Sequence, residues 1–267
     1  MQVDASIFKA YDIRGVVDET LTTEAVREIG RALGAIATER GIGTLCVGRD
    51  GRVSGPKLSA ALIEGITDMG IDVKVIGLAP TPVLYFATFL TQTGSGIAVT
   101  GSHNPPQYNG LKMMMGKDTL YGEGIQALRD RIDQGIDIAK HKGKTEEIDV
   151  ITPYLQKVTD DVKLARKIKV AIDCGNGVTG PVAMELFKRL GCEIVPLFTE
   201  IDGTFPNHHP DPSKPDNLKH LIETVKTTDV ELGLAFDGDG DRLGVVTKSG
   251  EIIYPDRQIM LFAADIL

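Results

Sequence analysis

A short pattern that occurs twice constrains the fold of this chain more than any other sequence feature. Residues 53–56 read Val-Ser-Gly-Pro and residues 178–181 read Val-Thr-Gly-Pro; each pattern follows a strand-like run and a polar turn. Each also precedes a helical pattern that ends near a glycine and leads to another strand. Ser54 and Thr179 are expected to cap these helices, with proline in the first turn. The repetition predicts two related units rather than one continuous sheet.

The periodicity of apolar residues alternates between strand-like and helix-like stretches along the chain. Val26, Ile29, Leu33 and Ile36 mark one helix face, and the apolar run 44–47 follows as a buried strand. Such alternation predicts two layered α/β domains with mixed sheets between helices. The charged, weakly periodic residues 135–149 place a boundary near residue 150. We therefore expect domains at 1–150 and 151–250, with residues 251–267 beginning an incomplete third domain.

Composition excludes several classes of protein. Asp plus Glu is 37 and Lys plus Arg is 29, so the net charge is −8, which argues against a general nucleic-acid surface. The three cysteines, Cys46, Cys174 and Cys192, lack metal-ligand spacing and fit reduced thiols better than disulfides. Neither a signal segment nor an apolar run of membrane-spanning length is evident. A cytoplasmic protein without a membrane partner is expected.

The sequence DGDGDR at 237–242 places three carboxylates on alternate residues, directly after the apolar run 232–236. Glycine between them lets the backbone curl where a side chain would clash. Asp237, Asp239 and Asp241 can then converge on one hard cation, which prefers oxygen ligands. A solvated acidic turn is the simpler alternative, since a turn needs only one Asp-Gly. An EF-hand is excluded because Arg242 and Lys248 stand where its Gly and Glu belong.

The sequence TGSHNP at 100–105 follows a short strand and displays Ser102 on a loop that two prolines keep from becoming helical. A serine nucleophile needs activation, and adjacent His103 does not by position alone form a catalytic pair with it. A capping turn explains the same residues. A hydrolase elbow would place glycine at 104, where Asn104 stands. Lys112 and Arg14 are ambiguous, since both residue types occur as surface charges or ion pairs.

Two further motifs offer competing interpretations. Residues 175–180 match G-x-G-x-x-G between a strand and a helix, which is typical of nicotinamide-dependent oxidoreductases. Against this alternative, the second unit has too few predicted strands for a full nucleotide-binding fold. His208 and His209 are adjacent, and adjacent side chains in extended chain point opposite ways, so a loop contact or simple surface exposure is expected rather than a shared metal.

Four motifs taken together resemble the α-D-phosphohexomutases: YDIRG at 11–15, TGSHNP at 100–105, NGLK at 109–112 and DGDGDR at 237–242. The resemblance spans essentially the whole chain in consistent order. The opening IFKAYDIRG is similar to the phosphomannomutase/phosphoglucomutase branch. One difference is Gly101, where many members have alanine, and little effect is expected from it.

The resemblance implies a function and roles for individual residues. The enzyme would interconvert hexose 6-phosphates and hexose 1-phosphates of mannose and/or glucose through a hexose 1,6-bisphosphate. Ser102 would carry the phosphoryl group, and Mg²⁺ would be held by Asp237, Asp239, Asp241 and a phosphate oxygen on Ser102. Lys112 would be a general acid/base. The remaining residues would act around the phosphoryl group or shape the site: Arg14, Arg242, His103 and Tyr11.

The resemblance is also incomplete. The family that this chain resembles consists of four-domain proteins with a GEMSG-like sugar loop in the third domain and an RxSGT-like phosphate loop in the fourth. Neither loop sequence occurs here. The expectation is therefore an N-terminal fragment that binds Mg²⁺ with little or no mutase turnover, whose partners include the missing C-terminal domains. The alternatives are the nicotinamide-dependent oxidoreductase and a non-catalytic metal- or phosphosugar-binding module.

Overall fold

The computed structural model describes residues 3–267 and divides the chain into two compact units, Met1–Val150 and Ile151–Leu267. Both units are α/β, and each is built on one mixed sheet. The division into functional domains, including a third domain that begins at residue 251, stays a prediction.

The first unit has a sheet of seven strands in the order β1-β5-β4-β2-β3-β7, with β6 paired to β5. In chain order the strands are β1 (Ile13–Val16), β2 (Thr44–Arg49), β3 (Asp72–Leu78), β4 (Gly96–Val99), β5 (Tyr108–Met115), β6 (Asp118–Thr119) and β7 (Thr145–Glu147). The helices are α1 (Thr23–Glu39), α2 (Gly55–Asp68), α3 (Thr81–Leu90) and α4 (Glu123–Gln134), with a short 3-10 helix at Ala5–Ile7.

The second unit has a five-stranded sheet in the order β12-β11-β10-β8-β9. Its strands are β8 (Lys169–Asp173), β9 (Glu193–Leu197), β10 (Leu232–Phe236), β11 (Leu243–Thr247) and β12 (Ile252–Ile253). Its helices are α5 (Ile151–Asp161), α6 (Thr179–Arg189), α7 (Lys219–Thr227) and α8 (Pro255–Ile266), with a 3-10 helix at Pro215–Leu218.

Five strands of each sheet follow the same spatial order and directions, as expected for the two related units that the repeated pattern predicts. The outermost of the five differs in its place in the chain, since β1 is the first strand of its unit and β12 is the last of its unit. In the first unit β3, β2 and β4 are parallel, and β5 and then β1 continue the sheet antiparallel. In the second unit β9, β8 and β10 are parallel, and β11 and then β12 continue it antiparallel. The segment that joins β4 to β5 (the serine loop, residues 100–107) therefore corresponds to the segment that joins β10 to β11 (the acidic loop, residues 237–242).

Alternation along β8 shows how the second sheet is covered on both faces. Val170 and Ile172 pack in one apolar cluster with Ala183 of α6, whereas Ala171 between them packs in another with Leu221 of α7. Successive side chains of a strand point to opposite faces, so this sheet lies between two helical layers. In the first unit, the stripe along α1 packs with α2, α4 and the sheet in one core.

The structure corrects part of the expected capping. Ser54 is the N-cap residue of α2, but its Oγ makes no capping bond and instead accepts a 2.8 Å hydrogen bond from Nδ2 of Asn109. The expectation for Thr179 is wrong, because Val178 is the N-cap of α6 and Thr179 is already helical. Within residues 3–267, no helix has both the length and the apolar character needed to cross a bilayer.

Candidate functional site

The serine loop holds Ser102 in an unusual backbone conformation. Ser102 is only 3% exposed and has φ of +49°, a left-handed value that costs a residue with a side chain roughly 1–2 kcal/mol. Its Oγ lies 3.2 Å from Nδ1 of His103, so the structure brings the two adjacent side chains into hydrogen-bonding contact. Its main-chain N–H donates to Oγ1 of Thr100 at 2.8 Å.

Asp50, which directly follows β2, supports the start of this loop. Oδ2 of its buried carboxylate accepts hydrogen bonds from Oγ1 of Thr100 at 2.8 Å and from the main-chain N–H of Gly101 at 3.1 Å. Since Thr100 Oγ1 in turn accepts from Ser102, a chain of hydrogen bonds links Asp50 to the backbone of Ser102.

Arg52, which is 1% exposed, binds the rest of the serine loop. Its Nη2 donates to the main-chain carbonyls of Ser102 at 2.8 Å and Asn104 at 2.6 Å. Its Nη1 donates to the carbonyls of Pro105 at 2.6 Å and Tyr108 at 2.9 Å. Its Nε donates to Oδ2 of Asp50 at 3.1 Å. A guanidinium has five N–H donors, and here these five contacts engage every one.

Gly101 has a larger role than the sequence comparison suggests, and its surroundings argue against the expectation that alanine there has little effect. A Cβ built on Gly101 would overlap Nε and Cζ of Arg52 and lie 2.9 Å from Nη1. The guanidinium is buried and fully hydrogen-bonded, so it cannot move aside cheaply. The observed position of the Arg52 guanidinium therefore leaves room only for glycine at 101.

Strand pairing places Arg14 and Lys112 on one face of the first sheet. Arg14 of β1 pairs with Gly110 of β5, and Lys112, two residues further on, points to the same side. Both are partly exposed, whereas Ile13 and Leu111 beside them are buried in the core. Arg14 is ion-paired to the carboxylate of Asp12.

Tyr11 lies in the bend before β1 and is 78% exposed. This exposure leaves its ring available at the surface of the first unit. It packs into no apolar core cluster among those of the described chain.

Asp237 organises the acidic loop. Its Oδ1 accepts three hydrogen bonds of 3.1 Å, from the main-chain N–H groups of Gly240, Asp241 and Arg242. Gly240 has φ of +77°, which glycine adopts without steric cost. The predicted curl of this loop is therefore present.

The three carboxylates of the acidic loop converge. Asp237, Asp239 and Asp241 each offer an oxygen within 4.8 Å of the others, and the first two residues are completely buried. Burial raises the pKa of Asp237 to about 8, and the charges of Asp239 and Asp241 and a hydrogen bond with Asp239 add to the effect. Such a group can hold a metal ion, because a divalent cation offsets both the burial and the mutual repulsion of the carboxylates.

Arg242 follows these carboxylates and is exposed. Its Nη1 lies 3.7 Å from Oδ1 of the buried Asp211. The guanidinium is therefore tethered beside the acidic loop while part of its surface remains accessible.

The glycines of the G-x-G-x-x-G motif have a packing explanation. A Cβ on Gly177 would lie 2.9 Å from the carbonyl of Gly238 in the acidic loop, and one on Gly180 would overlap the carbonyl of Thr199. The main-chain N–H of Val178 donates to the carbonyl of Gly238 at 3.2 Å. The spacing thus permits close approach of backbones within the second unit and needs no nucleotide to account for it.

His208 makes the loop contact that the sequence predicts. Its Nε2 lies 3.0 Å from both carboxylate oxygens of Asp173, at the end of β8. Burial alone would lower the pKa of His208, but the hydrogen bond and charge of Asp173 and a bond to the carbonyl of His209 raise it above its usual value. The ring also contacts Phe198 edge-to-face, with centroids 5.3 Å apart.

Sequence reasoning missed Asp50 and Arg52. Both lie in the polar turn before the first Val-Ser-Gly-Pro pattern, where charged residues are ordinarily solvated. The repeat gives the one sequence signal that points to Arg52: when the two patterns are aligned, Arg52 corresponds to Gly177. Gly177 is tightly packed, so a large charged residue at the equivalent position indicates that the two units support their loops differently.

Comparison with known proteins identifies the family. Models of α/β/α domains I and II of phosphoglucomutase/phosphomannomutase match residues 5–137 and 152–250. A phosphomannomutase/phosphoglucomutase of Pseudomonas aeruginosa is 54% identical over 263 residues, which are 98% of this chain and 57% of that protein. A phosphoglucomutase of Neisseria gonorrhoeae is 55% identical over 266 residues, which are 99% of this chain and 58% of that protein.

A solved structure agrees. A phosphoglucomutase/phosphomannomutase family protein from Burkholderia thailandensis matches with a TM-score of 0.96 and 52% identity, over 100% of this chain and 60% of that one. The chain therefore belongs to the phosphoglucomutase/phosphomannomutase family of the α-D-phosphohexomutases. It spans less than three fifths of the length of these two curated relatives. Family membership confirms the resemblance and gives no support to the oxidoreductase or the non-catalytic module.

Proposed function

We propose that this chain carries the phosphoserine and metal-binding part of a phosphohexomutase that interconverts hexose 6-phosphates and hexose 1-phosphates of mannose and/or glucose. One observation carries the proposal: a buried, backbone-strained serine and a cluster of three carboxylates occupy the same hairpin position in two copies of one fold. A phosphoryl carrier and a cation site are the two elements that phosphoryl transfer needs most, because it depends on positioning and neutralisation of charge.

In the proposed reaction, phosphorylated Ser102 donates its phosphoryl group to a hydroxyl of a hexose monophosphate. The bond between phosphorus and Ser102 Oγ breaks, a bond to the sugar oxygen forms, and the hydroxyl proton leaves to a base. The product is a hexose 1,6-bisphosphate, which reorients and returns its other phosphoryl group to Ser102. The cycle consumes no co-reactant, since each phosphoryl group lost is regained.

Residues of the first unit have proposed roles in these steps. Lys112 is the candidate acid/base for the sugar hydroxyl, and Arg14, on the same sheet face, is the candidate for binding phosphate oxygens. His103, in contact with Ser102 Oγ, would exchange the serine proton when the phosphoryl group leaves or returns. Tyr11 would shape the sugar site, and Arg242 of the second unit would neutralise phosphoryl charge.

The proposed metal is Mg²⁺, held by Asp237, Asp239, Asp241 and a phosphate oxygen on Ser102. Mg²⁺ favours oxygen ligands and is commonly bound by a few carboxylates together with phosphate oxygens. It would neutralise charge on the transferring phosphoryl group. On this proposal Mg²⁺ binds phosphorylated protein more tightly than unphosphorylated protein, and equal affinities in a calorimetric titration would contradict the shared site.

The carrier role is tested by incubating the chain with Mg²⁺ and glucose 1,6-bisphosphate or mannose 1,6-bisphosphate and measuring intact mass. We expect the mass of one phosphoryl group to be added, and fragmentation to locate it on Ser102. Ser102→Ala should take up none, whereas Ser59→Ala, which changes a partly exposed serine on α2, should behave as wild type. No uptake by the wild-type protein would refute the proposal. Conversion of hexose 1-phosphate to 6-phosphate then measures how much complete turnover these residues support.

We also propose a cytoplasmic location. Hexose phosphates are charged metabolites, and the three cysteines are free thiols, two of them buried. Recovery of the protein with oxidised cysteines from its source cells would argue against this location.

A further inference from the structure

We propose that Arg52 is a positioning residue for phosphoryl transfer: its guanidinium fixes the serine loop in the conformation that presents Ser102 Oγ. The contacts of Arg52 with the serine loop support its positioning role. The consequence of that role for catalysis rests on the proposed function of Ser102. Arg52 need not touch the substrate for this role, since it acts through the backbone of the loop.

The number of bonds is the first argument. Four of the five donors of Arg52 bind main-chain carbonyls of residues 102, 104, 105 and 108, so one rigid planar group spans the loop from Ser102 to the first residue of β5. A guanidinium holds its donors in a fixed geometry, whereas a lysine ammonium has only three donors on a flexible stem. Lysine at 52 keeps the charge but cannot make the same set of bonds.

The backbone of Ser102 is strained, with φ of +49°. A non-glycine residue stays in the left-handed region only where its surroundings hold it there. Asp50 holds the residues before Ser102, through its hydrogen bonds with Thr100 and Gly101. Arg52 holds Ser102 and the residues after it through their carbonyls. Nε of Arg52 also donates to the Asp50 oxygen that accepts from Thr100 and Gly101. Ser102 is therefore held between two ends of one buried ion pair.

The internal repeat assigns the same supporting role to this position in both units. Arg52 aligns with Gly177. Arg52 contacts the serine loop, which follows β4, and Gly177 lies against the acidic loop, which follows β10. In the second unit a Cβ at 177 would already press on the backbone of Gly238. That unit supports its loop by direct backbone packing, and the first unit replaces this packing with a side chain. The position therefore supports a loop in both copies.

The test compares Arg52→Lys with a matched control, Arg40→Lys. Arg40 also donates to a main-chain carbonyl, that of Met115 at 3.2 Å, but lies outside the serine loop. Two quantities are measured on the full chain: hydrogen exchange of a peptide covering residues 100–107, and the rate of Ser102 phosphorylation by glucose 1,6-bisphosphate at several concentrations.

In R52K we expect the amide hydrogens of the serine-loop peptide to exchange at least about tenfold faster than in the wild-type protein. The exchange rates of the other peptides should be unchanged. The phosphorylation rate at saturating bisphosphate should fall about 100-fold, the cost of a misplacement near 1 Å. The half-saturating concentration should stay within about twofold, because Arg52 is buried and acts on the serine rather than on substrate binding. R40K should match wild type in both measurements.

Unchanged exchange in folded R52K would overturn the proposal, and so would faster exchange with an unchanged phosphorylation rate. If R52K does not fold, Gly101→Ala replaces it, since that methyl group displaces the guanidinium without removing it. If wild-type protein takes up no phosphoryl group, the proposed function fails and the catalytic consequence of Arg52 fails with it. The exchange measurement still decides whether Arg52 positions the loop.

Discussion

Both nitrogens of the His208 ring face acceptors: Nε2 lies 3.0 Å from each carboxylate oxygen of Asp173, and Nδ1 lies 3.0 Å from the carbonyl of His209. Two acceptors require two N–H donors, so the ring makes both bonds only as an imidazolium. This agrees with the raised pKa of His208. The pair ties the irregular segment after β9 to the end of β8.

The first prediction concerns the pH dependence of this pair. A histidine whose pKa is raised on folding stabilises the protein fully below its unfolded pKa of about 6.5, and this stabilisation is lost as pH rises through the folded pKa. His208→Gln should therefore lower the free energy of unfolding by about 1.5–3 kcal/mol at pH 6, the usual worth of a hydrogen bond to a charged group. The loss should be smaller at pH 8.5. Urea unfolding at both pH values measures it.

His141→Gln, which changes an exposed histidine of the first unit, is the control and should have little effect at either pH. An equal loss for H208Q at both pH values would show that the pair acts as a neutral contact only.

The second prediction concerns the acidic loop. Mg²⁺ at a hundred times its dissociation constant should stabilise the wild-type protein by about 2.7 kcal/mol, because it binds the folded state only. Asp239→Asn should remove most of this gain, since it deletes one charge from the three that converge. Thermal unfolding with and without Mg²⁺, together with calorimetric titration, checks both effects.

Asp216→Asn is the matched control, because Asp216 is exposed and paired with Lys219 rather than with the acidic loop. Equal stabilisation of D239N and wild type by Mg²⁺ would mean that the cation binds elsewhere.

The third prediction concerns Gly101. Alanine there forces a methyl group against the buried guanidinium of Arg52, and overpacking of this kind costs about 1–3 kcal/mol. Gly43→Ala is the control, since a Cβ on Gly43 would meet open space. Equilibrium unfolding of both variants gives the comparison. A G101A protein as stable as G43A would show that Arg52 relocates without cost.

The fourth prediction separates packing from nucleotide binding in the G-x-G-x-x-G motif. Gly180→Ala should destabilise the second unit by about 1–3 kcal/mol, because its methyl group overlaps the carbonyl of Thr199. Gly124 occupies the same second position of helix α4, where a Cβ would meet only Cδ2 of Leu120 at 3.2 Å. Gly124→Ala should be neutral or stabilising, since alanine favours a helix by up to about 1 kcal/mol over glycine. Similar melting temperatures for the two variants would refute the packing explanation.

Much of the fold could be predicted because most elements bury apolar residues at regular spacing. The apolar stripe of α1 and the apolar run of β8 are recognisable in the sequence for this reason. β7 was missed because its residues, Thr145–Glu147, are all exposed and carry no periodic signal. β1 was missed because Ile13–Val16 is a short run containing glycine, and it becomes a strand through pairing with distant β5. Local pattern cannot reveal an element that tertiary pairing creates.

The site shows the same division. Ser102 and the three aspartates are visible as motifs, because loops with alternate glycines or two prolines are unusual between strands. Arg52 is not visible, since its partners are main-chain carbonyls and every residue has one. The consequence of Gly101 was missed for the same reason: its neighbour is known only once the loop is folded.

The strand order common to the two sheets has a consequence for descent. The pairs Val99 with Leu111 and Phe236 with Leu243 close corresponding hairpins, and the residues between them include a serine and a histidine in one hairpin and three aspartates in the other. A single module, once copied, could specialise at that hairpin and at the supporting position of Arg52 and Gly177 while its framework of parallel strands stayed intact. Different side chains on the two hairpins then required new loop sequences, while the three parallel strands kept their order.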